Sequence, residues 1–214
     1  MKRSYKGLAF ALILVVAVVF SFAVPAESVS AASKTKKMSV YSCIKSGDTV
    51  YCSNNNHIFK VNLKTKKVTI LTGGKCYPNN LKLKGKYLYY QDIQQGFDEN
   101  GYTGYLYRIN VKTKAKKKLA NASAYAIKGK KIYFTADKLK SDYSFKTIKR
   151  VMKLNGKSKK KTKYTVKNVH KETNANGYYV TNDIDWDNYS QPANYYLRTP
   201  GGNILLESLP CPVV

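Results

Sequence analysis

The chain has 214 residues and a formal net charge of +26 at pH 7, with 38 lysine and arginine residues against 12 acidic ones. This length is enough to bury one hydrophobic core. The 19 tyrosines, the β-branched residues and the many Asn and Gly turn residues favour a β protein and argue against a mainly helical one.

The N-terminus has the pattern of a secretory signal peptide. Lys2, Arg3 and Lys6 precede an apolar run at 8–24, and small residues suited to a cleavage site follow at 29–32. We predict a signal peptide at 1–31, a short basic segment at 32–38 and a secreted, extracellular mature protein that associates with the cell wall. The alternative is an uncleaved anchor, because the apolar run has the minimum length of a membrane span.

The rest of the chain, residues 39–214, reads as four copies of one unit. Tyr51, Tyr89, Tyr133 and Tyr179 occupy the same slot of the unit and are spaced 38, 44 and 46 residues apart. Apolar residues flank the first three of these tyrosines on both sides, as in a strand that is buried on both faces. A period of about 43 residues with four strands per unit is typical of a β-propeller blade. The predicted blades span 39–74, 81–122, 125–166 and 168–209.

The predicted fold class is therefore all-β, a β-propeller-like array of about four four-stranded antiparallel blades. Both a small closed ring and an open arc fit the pattern. The segments HIFKVNLKTKK, GYLYRINVKTK and TIKRVMKLNGK, together with YLYYQD at 87–92, resemble the propeller repeats of a secreted Gram-positive bacterial family of unknown function. More distantly, they are similar to the YWTD propeller of the low-density-lipoprotein receptor family. The resemblance implies a propeller fold and a binding role.

The lysines are concentrated at the first and third turns of the predicted blades. In an up-and-down blade these two turns open on the same edge, so we expect a basic face. Such a face attracts an anionic cell-wall polymer or an acidic glycan through forces that salt screens, whereas export argues against nucleic acid. The alternative is that the lysines protect strand edges and keep the protein soluble. The candidate polyanion-binding residues are Lys64, Lys66, Lys67, Lys84, Lys86, Lys112, Lys114, Lys128, Lys130, Lys131 and Lys157.

Most of the acidic residues fall in the long second loops, which predicts an acidic and aromatic opposite face. The candidate ligand-binding residues there are Asp98, Glu99, Asp183, Asp185, Trp186 and Asp187. The alternating Asp183, Asp185 and Asp187 are also a weak match to a calcium loop, but the glycine and the final glutamate of that motif are missing. We therefore predict an ordinary acidic loop, no metal and no cofactor.

Cysteine and histidine give two further expectations. Cys43 and Cys52 flank a hairpin, so they are the preferred disulfide pair, with free thiols as the alternative. His57 and His170 have no metal-ligand spacing around them and are expected at the surface.

The function predicted from these observations is a secreted, non-catalytic binding module at the bacterial surface. Its basic face would hold anionic polymer, and its loop face would bind a protein or carbohydrate partner. One alternative is a glycan-active enzyme that uses loop-face carboxylates. The other is a structural propeller fragment that assembles by oligomerisation.

Overall fold

The structure is a computed structural model that describes residues 42–54, 56–73, 76–93, 101–102, 104–166, 177–183 and 192–209. No helix in these ranges is long and apolar enough to cross a membrane. The predicted signal peptide at 1–31 and the basic segment at 32–38 lie outside the described residues.

The described residues form β-strands joined by turns. In chain order the strands are β1 (Cys43–Ser46), β2 (Thr49–Ser53), β3 (Ile58–Asn62), β4 (Val68–Ile70), β5 (Pro78–Lys84), β6 (Tyr87–Ile93), β7 (Gly104–Asn110), β8 (Lys116–Asn121), β9 (Ala124–Lys128), β10 (Lys131–Leu139), β11 (Phe145–Lys153), β12 (Lys160–Lys161), β13 (Tyr179–Asn182), β14 (Ala193–Thr199) and β15 (Gly202–Leu209).

The strands pair in sequence order into four antiparallel sheets, which we call blades 1 to 4. Blades 1, 2 and 3 contain β1–β4, β5–β8 and β9–β12, and blade 4 contains β13–β15. The strand predicted to begin blade 4 falls in a part of the chain outside the described residues. The all-β, propeller-like array predicted from the repeat is confirmed.

The repeated tyrosine lies on the second strand of blades 1 to 3. The exposure of its side chain shows which blades are covered on both faces. Tyr51 and Tyr89 are 6% and 1% exposed, and both residues flanking each of them are buried. Tyr133 and Tyr179, in blades 3 and 4, are only half-buried. Blades 3 and 4 therefore have one covered face and one less covered face.

Three buried clusters join the blades. One joins blade 4 to blade 1 through residues such as Leu197 and Phe59, a second joins blade 1 to blade 2, and a third joins blade 2 to blade 3 through Tyr89 and Ile132. None of these clusters of described residues joins blade 3 to blade 4. The described clusters thus place the blades in the spatial order 4-1-2-3.

Polar contacts also link neighbouring blades. The Tyr125 hydroxyl of blade 3 donates to the backbone carbonyls of Asn80 and Tyr89 in blade 2. Between blades 1 and 4, the Glu207 carboxylate lies 2.7 Å from His57 Nδ1 and accepts a 2.6 Å hydrogen bond from Asn54 Nδ2. The His57 side chain is only 21% exposed, so the expectation of a simple surface histidine is wrong because this carboxylate holds the ring inside the interface.

The cysteine pair has the predicted position but not the predicted bond. Cys43 and Cys52 lie directly opposite each other on β1 and β2, yet both are free, buried thiols, as is Cys76. Cys43 and Cys52 pack in the apolar cluster between blades 1 and 4, where cysteine behaves as a small hydrophobic side chain. Burial, and secondarily the neighbouring Cys43 thiol, raises the pKa of Cys52 well above its usual value.

Candidate functional site

The first and third turns of blades 1 to 3 form one edge of the array, which we call the turn face. The first turns are two-residue hairpins that begin with Gly47, Gly85 and Gly129, each with a φ of +56°, a conformation that glycine adopts without steric penalty. In blade 1 the Leu63 N–H of the third turn donates to the Asp48 carbonyl of the first turn at 2.8 Å. Blade 2 repeats this contact, so the two turns are adjacent, as predicted.

The third turns are built on asparagine side chains. Asn62 Oδ1 accepts hydrogen bonds at 3.0 Å from the backbone N–H groups two and three residues further on. Asn110 Oδ1 accepts the equivalent bonds at 3.0 and 3.4 Å, and Asn155 Oδ1 accepts one from Lys157 at 2.9 Å. Asparagine favours this local turn because its short side chain reaches its own backbone.

These asparagines position the lysines, and they are not among the residues predicted from the sequence. The pattern Asn-x-Lys-Thr/Ser-Lys occurs at 62–66, 110–114 and 155–159 and would have revealed the turn. In blades 1 and 2 the second lysine of the pattern, Lys66 or Lys114, has a positive φ of 54° or 60°. The two turns therefore present their lysines in nearly the same way.

All the candidate polyanion-binding lysines are exposed, and they lie in the turns of the turn face or at the adjoining strand ends. Lys64 pairs with Asp48 at 2.8 Å, and the hydrogen bond to that carboxylate raises the pKa of Lys64. No ion pair between described residues includes any of the other ten candidates. The positive charge of the turn face is thus largely uncompensated within the described part of the chain.

The described acids of the second loops lie at the opposite edge of the blades, which we call the loop edge. Asp142 Oδ1 accepts hydrogen bonds from the Ser144 hydroxyl and N–H, and these bonds lower the pKa of Asp142. Desolvation opposes ionisation of Asp183, but the hydrogen bonds donated by Asn194 and Tyr196 outweigh it and lower the pKa of Asp183. Both carboxylates therefore have a local role in shaping their loops.

The other loop-edge candidates lie outside the described residues. They are Asp98, Glu99, Asp185, Trp186 and Asp187. Of the three aspartates in the calcium alternative, the structure therefore describes Asp183 alone. Within the described ranges, no three His, Cys, Asp or Glu side chains form a group that could hold a metal ion. The turn face is therefore the predicted surface for which the structure provides geometry.

No protein-family model matches the chain, and no curated protein sequence matches it. Among solved structures, the chain is similar to the N-terminal domain of Nup159, with 16% identity and a TM-score of 0.36 over 77% of this chain and 46% of that one. It is also similar to an oligogalacturonate lyase in complex with manganese, with 13% identity and a TM-score of 0.38 over 76% of this chain and 50% of that one.

Both of these solved proteins are β-propeller-like folds, and the chain spans about half the length of each. The likeness concerns the fold alone. Membership in the secreted bacterial repeat family or in the YWTD family stays a prediction.

Proposed function

We propose that the protein is a secreted, non-catalytic binding module at the bacterial cell surface. Its turn face holds an anionic wall polymer or an acidic glycan by long-range electrostatic attraction. The observation that supports this proposal is the set of exposed turn-face lysines on asparagine-built turns, nearly all without a carboxylate partner in the described residues. Lysine suits such a role because its ammonium group acts as a point charge and needs no fixed geometry.

The loop edge is assigned in this proposal to a second partner, a protein or a carbohydrate. The hydrogen bonds of Asp183 to Asn194 and Tyr196 support the assignment because they hold a carboxylate and an aromatic side chain together at the exposed end of blade 4.

The main proposal is tested by measuring retention of the mature protein on purified cell wall over a salt series. The wall is used with and without its anionic polymers. Retention that needs the polymers and falls steeply with salt is expected. Retention that survives removal of the polymers, or that does not respond to salt, contradicts the proposal. The lysines would then be explained by their protection of strand edges.

A second candidate function is that of a propeller fragment that assembles by self-association. The half-buried Tyr133 and Tyr179 on the outer blades favour it, because the equivalent tyrosines of blades 1 and 2 are buried by neighbouring blades. Light scattering after size-exclusion chromatography tests this function. A mass that is a multiple of the chain mass supports assembly, and a monomer at high protein concentration excludes it.

A further inference from the structure

A cleft of about 680 Å³ opens between blades 2 and 3. Its blade 2 wall is β8, with Lys118 and Leu119. Its blade 3 wall is formed by β10 and β11, with Ile148 and Arg150, and Lys159 of the following turn completes the rim. The volume lies within the range of pockets that bind small organic ligands.

The floor of the cleft is apolar because β8 contains a bulge. Leu106 pairs with Ala120 while Tyr107 pairs with Lys118, so Leu119 is the extra residue. The bulge lets consecutive residues of β8 turn inward, and Leu119 and Ala120 are 4% and 8% exposed. Phe134 and Ile148 continue this floor on the blade 3 side.

The rim of the cleft is basic. None of the described residues that line it is acidic, and no ion pair between described residues includes Lys118, Arg150 or Lys159. Lys118 Nζ lies 3.4 Å from the centroid of the Tyr105 ring. Arg150 is half-buried, and its planar guanidinium suits a carboxylate or phosphate that accepts two parallel hydrogen bonds.

The basic surface continues beyond the cleft along β11. A second hollow of about 500 Å³ shares Ile148 and Arg150 with the first and adds Lys146, Lys149 and Lys161. Arg150 therefore stands between two hollows, both of them lined by cations. This arrangement fits a chain that carries repeated negative charges better than it fits a single small anion.

We propose that the cleft binds a segment of an anionic chain. Arg150 holds a carboxylate or phosphate of the chain, Lys118 and Lys159 attract the flanking charges, and the less polar body of a chain unit lies on Leu119 and Ile148. The proposal rests on the proposed function for the class of polymer, and it extends that function from attraction by a surface to recognition in a cleft.

Isothermal titration calorimetry of the mature protein at low salt tests whether the cleft binds an anionic chain. The probes are a glucuronate tetrasaccharide, a glycerol-phosphate oligomer of equal charge and a neutral glucose tetrasaccharide. We expect at least one anionic probe to bind, and the neutral probe to bind at least tenfold more weakly. Tighter binding of the glucuronate probe would identify a carboxylate-bearing chain as the ligand, and tighter binding of the glycerol-phosphate probe would identify a phosphate-bearing chain.

The variants locate the binding. Arg150→Gln is expected to weaken binding of the anionic probe at least tenfold, whereas Lys140→Gln, which removes the same charge from an exposed position outside both the cleft and the turn face, changes it less than twofold. Lys159→Gln, at an exposed turn position, gives the same test without disturbing a packed side chain. Circular dichroism establishes that each variant is folded.

Three results would contradict binding in the cleft: no anionic probe binds, Arg150→Gln and Lys159→Gln both bind like the wild type, or Lys140→Gln loses as much affinity as they do. Wall retention of the same proteins separates this failure from failure of the proposed function. Retention without probe binding contradicts only the cleft, and probe binding without retention contradicts only the wall-binding function.

Discussion

Two buried tyrosine hydroxyls differ in whether they have a hydrogen-bond partner. Tyr125 donates to the carbonyls of Asn80 and Tyr89, whereas the Tyr90 hydroxyl is buried with no partner among the described residues. Burial, with smaller contributions from Cys76, Asp92 and Tyr107, raises the pKa of Tyr90 far above its usual value. Both rings pack in the core, so the difference between them lies in the hydroxyl.

The two hydroxyls therefore predict opposite responses to removal. Tyr90→Phe is expected to leave the free energy of unfolding unchanged or to raise it by up to about 1 kcal/mol, because a buried hydroxyl without a partner is desolvated with no gain. Tyr125→Phe, the matched control, is expected to lower it by about 1–3 kcal/mol, because the Asn80 and Tyr89 carbonyls lose a donor. Urea denaturation measures both. Equal losses in the two variants would contradict this account.

The Glu207 carboxylate is a polar link between blades 4 and 1. Glu207→Ala is expected to lower the free energy of unfolding by about 1–3 kcal/mol, because it leaves His57 and Asn54 without their acceptor inside the interface. Leu205→Ala, at the exposed position two residues earlier on β15, should change stability by less than about 0.5 kcal/mol. Thermal melts that rank the two variants in the opposite order would show that the carboxylate does not stabilise the interface.

At the scale of elements, the asparagine-built turns are the parts that hold the lysines in place. Asn110→Ala removes the acceptor for two backbone N–H groups and is expected to lower the free energy of unfolding by about 0.5–1.5 kcal/mol. Asn110→Asp keeps the Oδ1 acceptor and should retain most of that stability. Chemical denaturation of the pair tests the turn, and an Asp variant as unstable as the Ala variant would show that the acceptor is not what matters.

The sequence predicted the strands better than it predicted their surroundings. The tyrosine slot located β2, β6 and β10 because three consecutive apolar residues need cover on both faces. The same pattern surrounds Tyr51 and Tyr133, yet only Tyr51 is buried. The sequence of a strand shows which of its side chains are apolar enough to be buried. Whether a neighbouring blade covers them depends on how distant parts of the chain pack.

At the candidate site, too, the features set by local sequence were predicted and those that depend on tertiary packing were not. The lysine-rich turns were located from the repeat, and the antiparallel order of the strands is enough to place the first and third turns on one edge. The cleft at Arg150 was not predicted, because it depends on the bulge that turns Leu119 inward and on the packing of blade 3 against β8. Neither feature leaves a periodic signal in the sequence.

At the scale of the whole molecule, the charges differ between the turn face and the loop edge, where Lys140 lies beside Asp142. The turn face has exposed lysines on blades 1 to 3, and the described acids of the second loops lie at the loop edge. Blade 4 departs from this pattern, since its β14–β15 turn at 200–201 carries no lysine. The central claim of the proposed function is that the turn face, and not the net charge of the protein, binds the anionic polymer.

Cell-wall retention of two charge-matched variants tests this claim most directly. One variant replaces Lys66, Lys112 and Lys114 of the turn face by glutamine, and the other replaces Lys117, Lys140 and Lys163, which are exposed elsewhere. The account predicts that the turn-face variant elutes from polymer-bearing wall at clearly lower salt than the wild type, while the control variant elutes with the wild type. Elution of both variants at the same reduced salt concentration would contradict it, because net charge alone would then explain the binding.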